Sequence, residues 1–272
     1  MIVDFHVNIG KKEHWHSWVN EHFEKVNPKL YENFEDIMNP EGLAAYLKNQ
    51  GVDIAVILAE NSPITTGVVS NEFVHDFCHG KKMFVPFASI DPKTEDGFAQ
   101  KLKLLVDQGG FKGLKLYPTY QQYHPNDEIV YPLYEEAQRL GIPVMVHTGS
   151  SIFKGSRLKY GNPLLLDDVA VDFPDLKIIM AHSGRGLWYK EAYFLSKLHE
   201  NVYMEVSGLP PKNLLRYFPD LEENSNKVLF GSDWPGIKSI KENIEDVKAL
   251  PLNESTIEKV LGLNAVELLG LK

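Results

Sequence analysis

Eight short apolar, β-branched runs punctuate this chain, at residues 2–7, 52–58, 83–88, 112–117, 143–147, 177–181, 202–206 and 227–230. A run that is apolar almost throughout suits a strand covered on both faces, as in a parallel sheet. A strand with one wet face would alternate instead. Between the runs lie stretches with apolar residues at helical spacing. Residues 97–108 carry Phe98, Leu102, Leu105 and Val106, and residues 129–140 carry Val130, Leu133, Tyr134 and Ala137, with Gly141 at the stop. Residues 164–173 and 187–198 behave alike, and Asn253-Glu254-Ser255-Thr256 opens a last amphipathic stretch. Strand and helix therefore alternate, which dictates βαβ units and a parallel sheet. Eight units match a closed α/β barrel, and no glycine-rich dinucleotide fingerprint follows any run, as an open doubly wound sheet would favour. The expectation is a single-domain (β/α)8 TIM barrel over residues 1–272.

The first connection departs from that rhythm. Residues 8–51 are too many for one loop and one helix, and they carry Trp15, Trp18, Phe23, Tyr31 and Phe34. They are expected to form a partly helical insertion after strand 1, lying over the barrel mouth as a lid or a substrate wall.

Charge and composition narrow the function. Lysine and arginine number 28 against 37 acidic residues, a net charge of −9. Such a chain lacks the global basic field of non-specific nucleic-acid binding, so no nucleic-acid partner is expected. The single cysteine, Cys78, excludes an internal disulfide or a multi-cysteine metal site. No run of about 18 apolar residues is present, so no membrane span is expected. The opening Met1-Ile2-Val3-Asp4-Phe5-His6 does not read as a secretory signal, which points to the cytoplasm.

In a barrel, working side chains come from the C-terminal ends of strands. The first run supplies Asp4, His6 and Asn8, which a regular strand would place on one face. The fourth supplies Lys115 and Tyr117, the fifth ends in His147, the sixth in His182, and the seventh in Glu205 and Ser207. The eighth runs on to Asp233. One strand-end histidine is ordinarily a hydrogen-bonded core residue. His6, His147, His182 and Asp233 at equivalent ends are costly to bury unless they share a partner, and a divalent metal is one. Imidazole and carboxylate suit zinc.

The same residues sit in recognisable motifs. Asp4-Phe5-His6-Val7-Asn8, Gly113-Leu114-Lys115-Leu116-Tyr117-Pro118, Val146-His147-Thr148-Gly149, Ala181-His182-Ser183-Gly184, Phe230-Gly231-Ser232-Asp233-Trp234-Pro235 and the closing Leu261-Gly262-Leu263-Asn264-Ala265 follow one another along the chain. In this order the chain resembles the amidohydrolase superfamily, in its amidohydrolase-related branch of metal-dependent hydrolases and decarboxylases. The resemblance implies the barrel already counted. It also implies one divalent metal, zinc by expectation, held by His6, Asn8, His147 and Asp233. Asn8 stands where the family has a second histidine, and its amide oxygen is a poorer ligand than imidazole. A bridging carboxylated lysine would need a full ligand set, so Lys115 is expected instead to grip a substrate carboxylate, with Tyr117 and Arg185 beside it.

The resemblance implies a metal-activated water, Asp233 as proton shuttle and His182 as the residue that orients substrate or stabilises its oxyanion. The first reading is a hydrolase of a C–O or C–N bond in a small, carboxylate-bearing substrate. The second is a non-oxidative decarboxylase with the same residues, and the third a ligand-binding barrel without catalysis. Exposed aromatics also allow a homodimer contact. Four other histidines are set aside: His75 and His79 on a helix outside the barrel, and His14 and His16 in the insertion. His124, after the fourth run, is treated with similar caution. Cys78 lies away from the strand ends and is not expected to be a nucleophile.

Overall fold

Eight parallel strands follow one another in the computed structural model, which describes residues 1–271. They are β1 (Val3–Asn8), β2 (Ile54–Leu58), β3 (Phe84–Ser89), β4 (Gly113–Leu116), β5 (Val144–Gly149), β6 (Ile178–Arg185), β7 (Val202–Glu205) and β8 (Val228–Leu229). All eight coincide with the apolar runs, and each pairs in parallel with the next. The sheet closes just beyond β8 rather than along it. Phe5 N donates to Phe230 O at 3.0 Å, Asp233 N to His6 O at 3.0 Å and Asn8 N to Trp234 O at 2.8 Å. The expected α/β TIM barrel is therefore the observed fold, and the closing segment is the one that carries Asp233.

Alternation along the strands divides the core into two shells. Val3, Phe5, Val56, Leu58, Val85, Phe87, Met145 and Ile179 fill the barrel, while Ala55, Ile57, Val144, Val146, Ile178 and Met180 face the surrounding helices. The helices observed at Phe98–Asp107, Tyr131–Leu140, Leu166–Asp172 and Tyr189–Leu198 lie within the expected stretches. The closing stretch starts where Asn253 accepts a hydrogen bond from Thr256 N at 2.7 Å. It is anchored by Asn264, whose amide donates to Val228 O and Ser225 O at 2.7 Å each. Among the described residues no helix is long and apolar enough to cross a membrane.

The insertion after β1 is largely helical: α1 (Ser17–Val26), then short helices at Pro28–Glu32 and Phe34–Ile37, then Pro40–Asn49. It packs through Trp15, whose ring meets Phe23 edge-on at 5.2 Å and Phe34 at 6.0 Å. Trp15 also bridges to Gly67 of a hairpin, Glu60–Ser62 with Gly67–Val69, that follows β2. The apolar runs gave no sign of this hairpin.

Candidate metal centre at the barrel mouth

His6, His182 and Asp233 each bring a ligand atom to within 4.8 Å of the other two. They come from the ends of β1, β6 and the segment after β8, so the fold alone unites residues far apart in sequence. Regular alternation would not place them there. Phe5 points into the barrel, so His6 would point out, and Ile178 and Met180 face the helices, so His182 would too. Irregular backbone reverses both. The β1–β2 register shifts between Asp4 and Val7, and the β5–β6 register shifts beyond His147. His182 has φ 62° and Ser183 φ 44°, in the left-handed region, and Asp233 has φ 67°. Non-glycine residues held there are strained, and such strain collects at working sites.

A buried hydrogen-bond network fixes the rings. Glu205 and Ser207, at the end of β7, sit beneath both histidines. His6 Nδ1 lies 3.2 Å from Glu205 Oε2, which leaves Nε2 as the ring nitrogen that faces the cavity. Nε2 faces Asp233 Oδ1 at 3.5 Å. His182 Nδ1 donates to Ser207 O at 3.0 Å, which leaves Nε2 as its lone-pair nitrogen. The Ser207 hydroxyl lies 3.0 Å from each Nδ1 and donates to Glu205 Oε2 at 2.9 Å. Burial alone would hinder ionisation of Glu205, but the bonds and charges of His6, Lys115 and Ser207 outweigh it and hold its carboxyl below the usual range. Gly231 makes room for this carboxylate, since a Cβ there would stand 2.1 Å from Glu205 Oε1.

The electrostatics favour the neutral ring at His147 and His182. Burial, then the charges of Lys115 and Arg185, drives His147 well below its ordinary value, and burial, then Arg185, does the same to His182. Neutral imidazole is the form that ligates a metal. His147 packs beside the group, its ring 4.7 Å from that of His182, and its buried Nε2 has no hydrogen-bond partner. Two imidazoles and a carboxylate within reach of one another, beside a buried imidazole nitrogen that has no hydrogen-bond partner, form a donor set that one cation would satisfy. The residues present therefore fit a divalent metal ion.

The other expected site residues fall into two groups. Asn8 donates its amide hydrogens to Asp233 Oδ1 at 3.3 Å and Trp234 O at 3.2 Å, and so orients the carboxylate. Arg185 is clamped by Ser150 O, which accepts from Nε at 3.2 Å and Nη2 at 3.0 Å, while Nη1 reaches Asp233 Oδ2 at 3.5 Å. Both line a cavity of about 600 Å³ together with His6, His147, His182 and Asp233. Tyr117 is also on that wall, its hydroxyl bonded to Ala59 O at 3.1 Å. Lys115 is not. It is fully buried, its Nζ has no hydrogen-bond partner, and burial lowers its pKa to about 8 against the pull of Glu205, Asp233 and Glu60. Asp4 shares no strand face with His6 and Asn8. Its Oδ1 accepts from Ser232 N at 2.8 Å and His6 N at 3.1 Å, stitching the barrel shut.

The insertion supplies a cavity wall, as Trp15, Val19, His22, Phe23 and Val26 line it. His22 and Glu60 were not picked out from sequence, for neither stands at the end of an apolar run. Glu205 and Ser207 were visible as strand ends but carried no motif. His14 packs on Phe73 at 4.7 Å and His16 Nε2 reaches Pro63 O at 2.8 Å, away from the cavity. His75, on the helix Asn71–Cys78, meets Gly109 O at 3.0 Å, and His124 packs on Tyr160 at 4.7 Å. Cys78 is buried, and burial pushes its thiol up to about 12, far from a nucleophile's range.

Comparison with known proteins settles the lineage. The amidohydrolase family model matches residues 4–271. The chain belongs to the amidohydrolase family. Among curated relatives it is similar to gamma-resorcylate decarboxylase of Rhodococcus jostii (strain RHA1), 24% identical over 69% of this chain and 71% of that one. It also resembles 2-keto-4-carboxy-3-hexenedioate hydratase of a Sphingobium strain, 28% identical over 50% of this chain and 47% of that one. The gamma-resorcylate decarboxylase of a Rhizobium strain is matched over 60% of its length. Of solved structures, an uncharacterized TIM-barrel protein from Bordetella bronchiseptica superposes with a TM-score of 0.80 at 25% identity, covering 99% of this amidohydrolase and 98% of that chain. The 2,6-dihydroxybenzoate decarboxylase from Rhizobium has a TM-score of 0.72 at 18% identity, with 99% and 98% covered, and shares the fold.

Proposed function

We propose that this amidohydrolase is a metal-dependent lyase that removes carbon dioxide, without oxidation, from a small carboxylate-bearing molecule. The observation that carries this reading is the convergence of His6, His182 and Asp233 beside a clamped Arg185 on one cavity wall. The curated relatives named above are decarboxylases and a hydratase, and this favours carbon–carbon or carbon–oxygen lyase chemistry over the hydrolysis first expected.

His6, His182 and Asp233 would hold the ion, with His147 as a fourth donor, and two or three imidazoles with one carboxylate suit zinc. Once bound, the ion supplies a Lewis-acidic point that draws charge from the substrate's oxygens. The chain's own residues do the rest. Arg185, held in orientation by Ser150 O, offers its remaining N–H groups to the substrate carboxylate. Asp233, steadied by Asn8 and Arg185, carries a proton to the carbon that bears the carboxylate. The bond to the carboxylate carbon then breaks, its electron pair stays with the protonated carbon, and carbon dioxide leaves. Asp233 regains its proton from solvent. The aromatic wall of Phe23, Tyr120 and Phe153 limits water around this transfer.

Turnover in D2O with a carboxyl-13C acid tests the reading. The expected result is 13C carbon dioxide and one deuterium on the carbon that lost it, with D233N inactive and folded. Incorporation of 18O from labelled water into an intact acid product would replace decarboxylation with hydrolysis.

A further inference from the structure

Glu60 is a second carboxyl in the cavity that the proposed reaction leaves unused. It opens the hairpin after β2, is 7% exposed, and lines the same cavity as Asp233 and Arg185. One of its oxygens accepts a hydrogen bond from the Thr66 hydroxyl, which also lines the cavity. Among the described residues no lysine, arginine or histidine nitrogen comes within 4.0 Å of it. Burial pushes the carboxyl up to about 7, with Thr66 and the more distant charge of Lys115 opposing.

A buried acid without a cation is costly. The surroundings hold it still. Trp18 Nε1 donates to Thr65 O at 2.8 Å and His16 N to Thr66 O at 2.9 Å, so the insertion clamps the hairpin from one side. Tyr117 Oη donates to Ala59 O at 3.1 Å and Asn61 Nδ2 to Glu95 Oε1 at 2.8 Å, which fixes it from the other. Next to Glu60 the rings of Tyr117 and Tyr120 stack at 5.7 Å and 15°, and both line the cavity. Stacked on each other, the two rings form a rigid aromatic block, and a fixed acceptor beside such a block is an arrangement that reads a polar group on a flat molecule.

We propose that Glu60 is a specificity-determining residue: its carboxyl accepts a hydrogen bond from a hydroxyl or amino group of a flat acid whose carboxylate Arg185 holds, and it rejects molecules that place a second carboxylate there. This rests on the carboxylate-binding reading given above. A site built to pair a substrate hydroxyl discriminates against the analogue that lacks it, and like charges at close range discriminate against a diacid.

The test is ligand binding to the metal-loaded protein by isothermal titration calorimetry at pH ~8.5, where the Glu60 carboxyl is ionised. The probes are benzoate, the three monohydroxybenzoates and the three benzenedicarboxylates. The wild type should bind at least one hydroxybenzoate about tenfold more tightly than benzoate and the matching dicarboxylate more weakly than benzoate. E60A should erase the hydroxyl preference while leaving benzoate within about twofold, and E60Q should gain affinity for the dicarboxylate. Thermal melts establish that both variants are folded. Hydroxyl preference undiminished in E60A, with benzoate binding still weakened by R185M, overturns the role of Glu60 alone. Benzoate binding indifferent to R185M overturns the carboxylate reading beneath it.

Discussion

Glu205→Gln isolates the network under the metal centre, because it keeps the side chain's size and removes its charge. Glu205 Oε1 accepts from Ser207 N at 2.7 Å, and Oε2 accepts from His6 Nδ1 at 3.2 Å, His182 N at 3.2 Å and Ser207 Oγ at 2.9 Å. A glutamine has one oxygen and one NH2 group for these places. With its oxygen at the Oε2 position it satisfies His6 and His182, but its NH2 then opposes the Ser207 N–H. Turned over, it opposes His182 N–H and His6 Nδ1–H together. The better orientation leaves a buried donor unpaired, which costs about 1–3 kcal/mol. The neutral amide also makes His6 a weaker ligand, and loss of such a partner typically lowers metal affinity about 10–100-fold. Urea unfolding of the metal-free protein reads the first effect, and titration against a competing chelator reads the second. Unchanged stability together with unchanged affinity would refute the network's role. A loss of stability alone would reduce Glu205 to a packing residue.

Two further expectations follow from particular residues. Glu60 is raised from 4.5 to about 7 in the folded chain, so between those values the folded chain holds a proton that the unfolded chain has released. Its contribution therefore falls as pH rises through that window, and E60Q should gain stability relative to wild type between pH ~5 and ~8, by on the order of 2–3 kcal/mol. A pH-independent difference in paired denaturation curves would contradict this. Gly149 has φ 85°, and a Cβ there would stand 2.3 Å from Arg185 N and 2.5 Å from Arg185 O. G149A should cost about 3 kcal/mol or more and weaken carboxylate binding, because the clash falls on the backbone that positions Arg185. Wild-type melting and binding would show that the β5–β6 edge yields without consequence.

Much of this was readable from the residue pattern, and the remainder has physical reasons for staying hidden. The strands were legible because burial on both faces leaves unbroken apolar runs such as residues 177–181. The insertion was legible as excess length with aromatic residues, and part of it lines the cavity. His182 was legible only as a strand end and as part of a motif. Alternation counts it as outward, and the left-handed backbone that turns it inward has no signature in the residue types His182-Ser183. Glu205 looked like any acid ending a strand until tertiary contact placed two imidazoles over it. Glu60 lay beyond reach because its hairpin follows a buried strand without a distinct apolar pattern. Lys115 was expected to grip substrate from its place at a strand end, whereas the structure buries it outside the cavity wall, where it acts on the site through its charge.

The account stands on His6, His182 and Asp233 acting together on one divalent ion. Equilibrium binding of zinc to the wild type, to the triple variant H6A/H182A/D233A and to the surface variant H75A/H79A tests this most directly. The account predicts one ion per chain in the wild type and the surface variant, and affinity at least about 100-fold weaker in the triple variant. Equal binding by all three proteins, or none by the wild type, would contradict it.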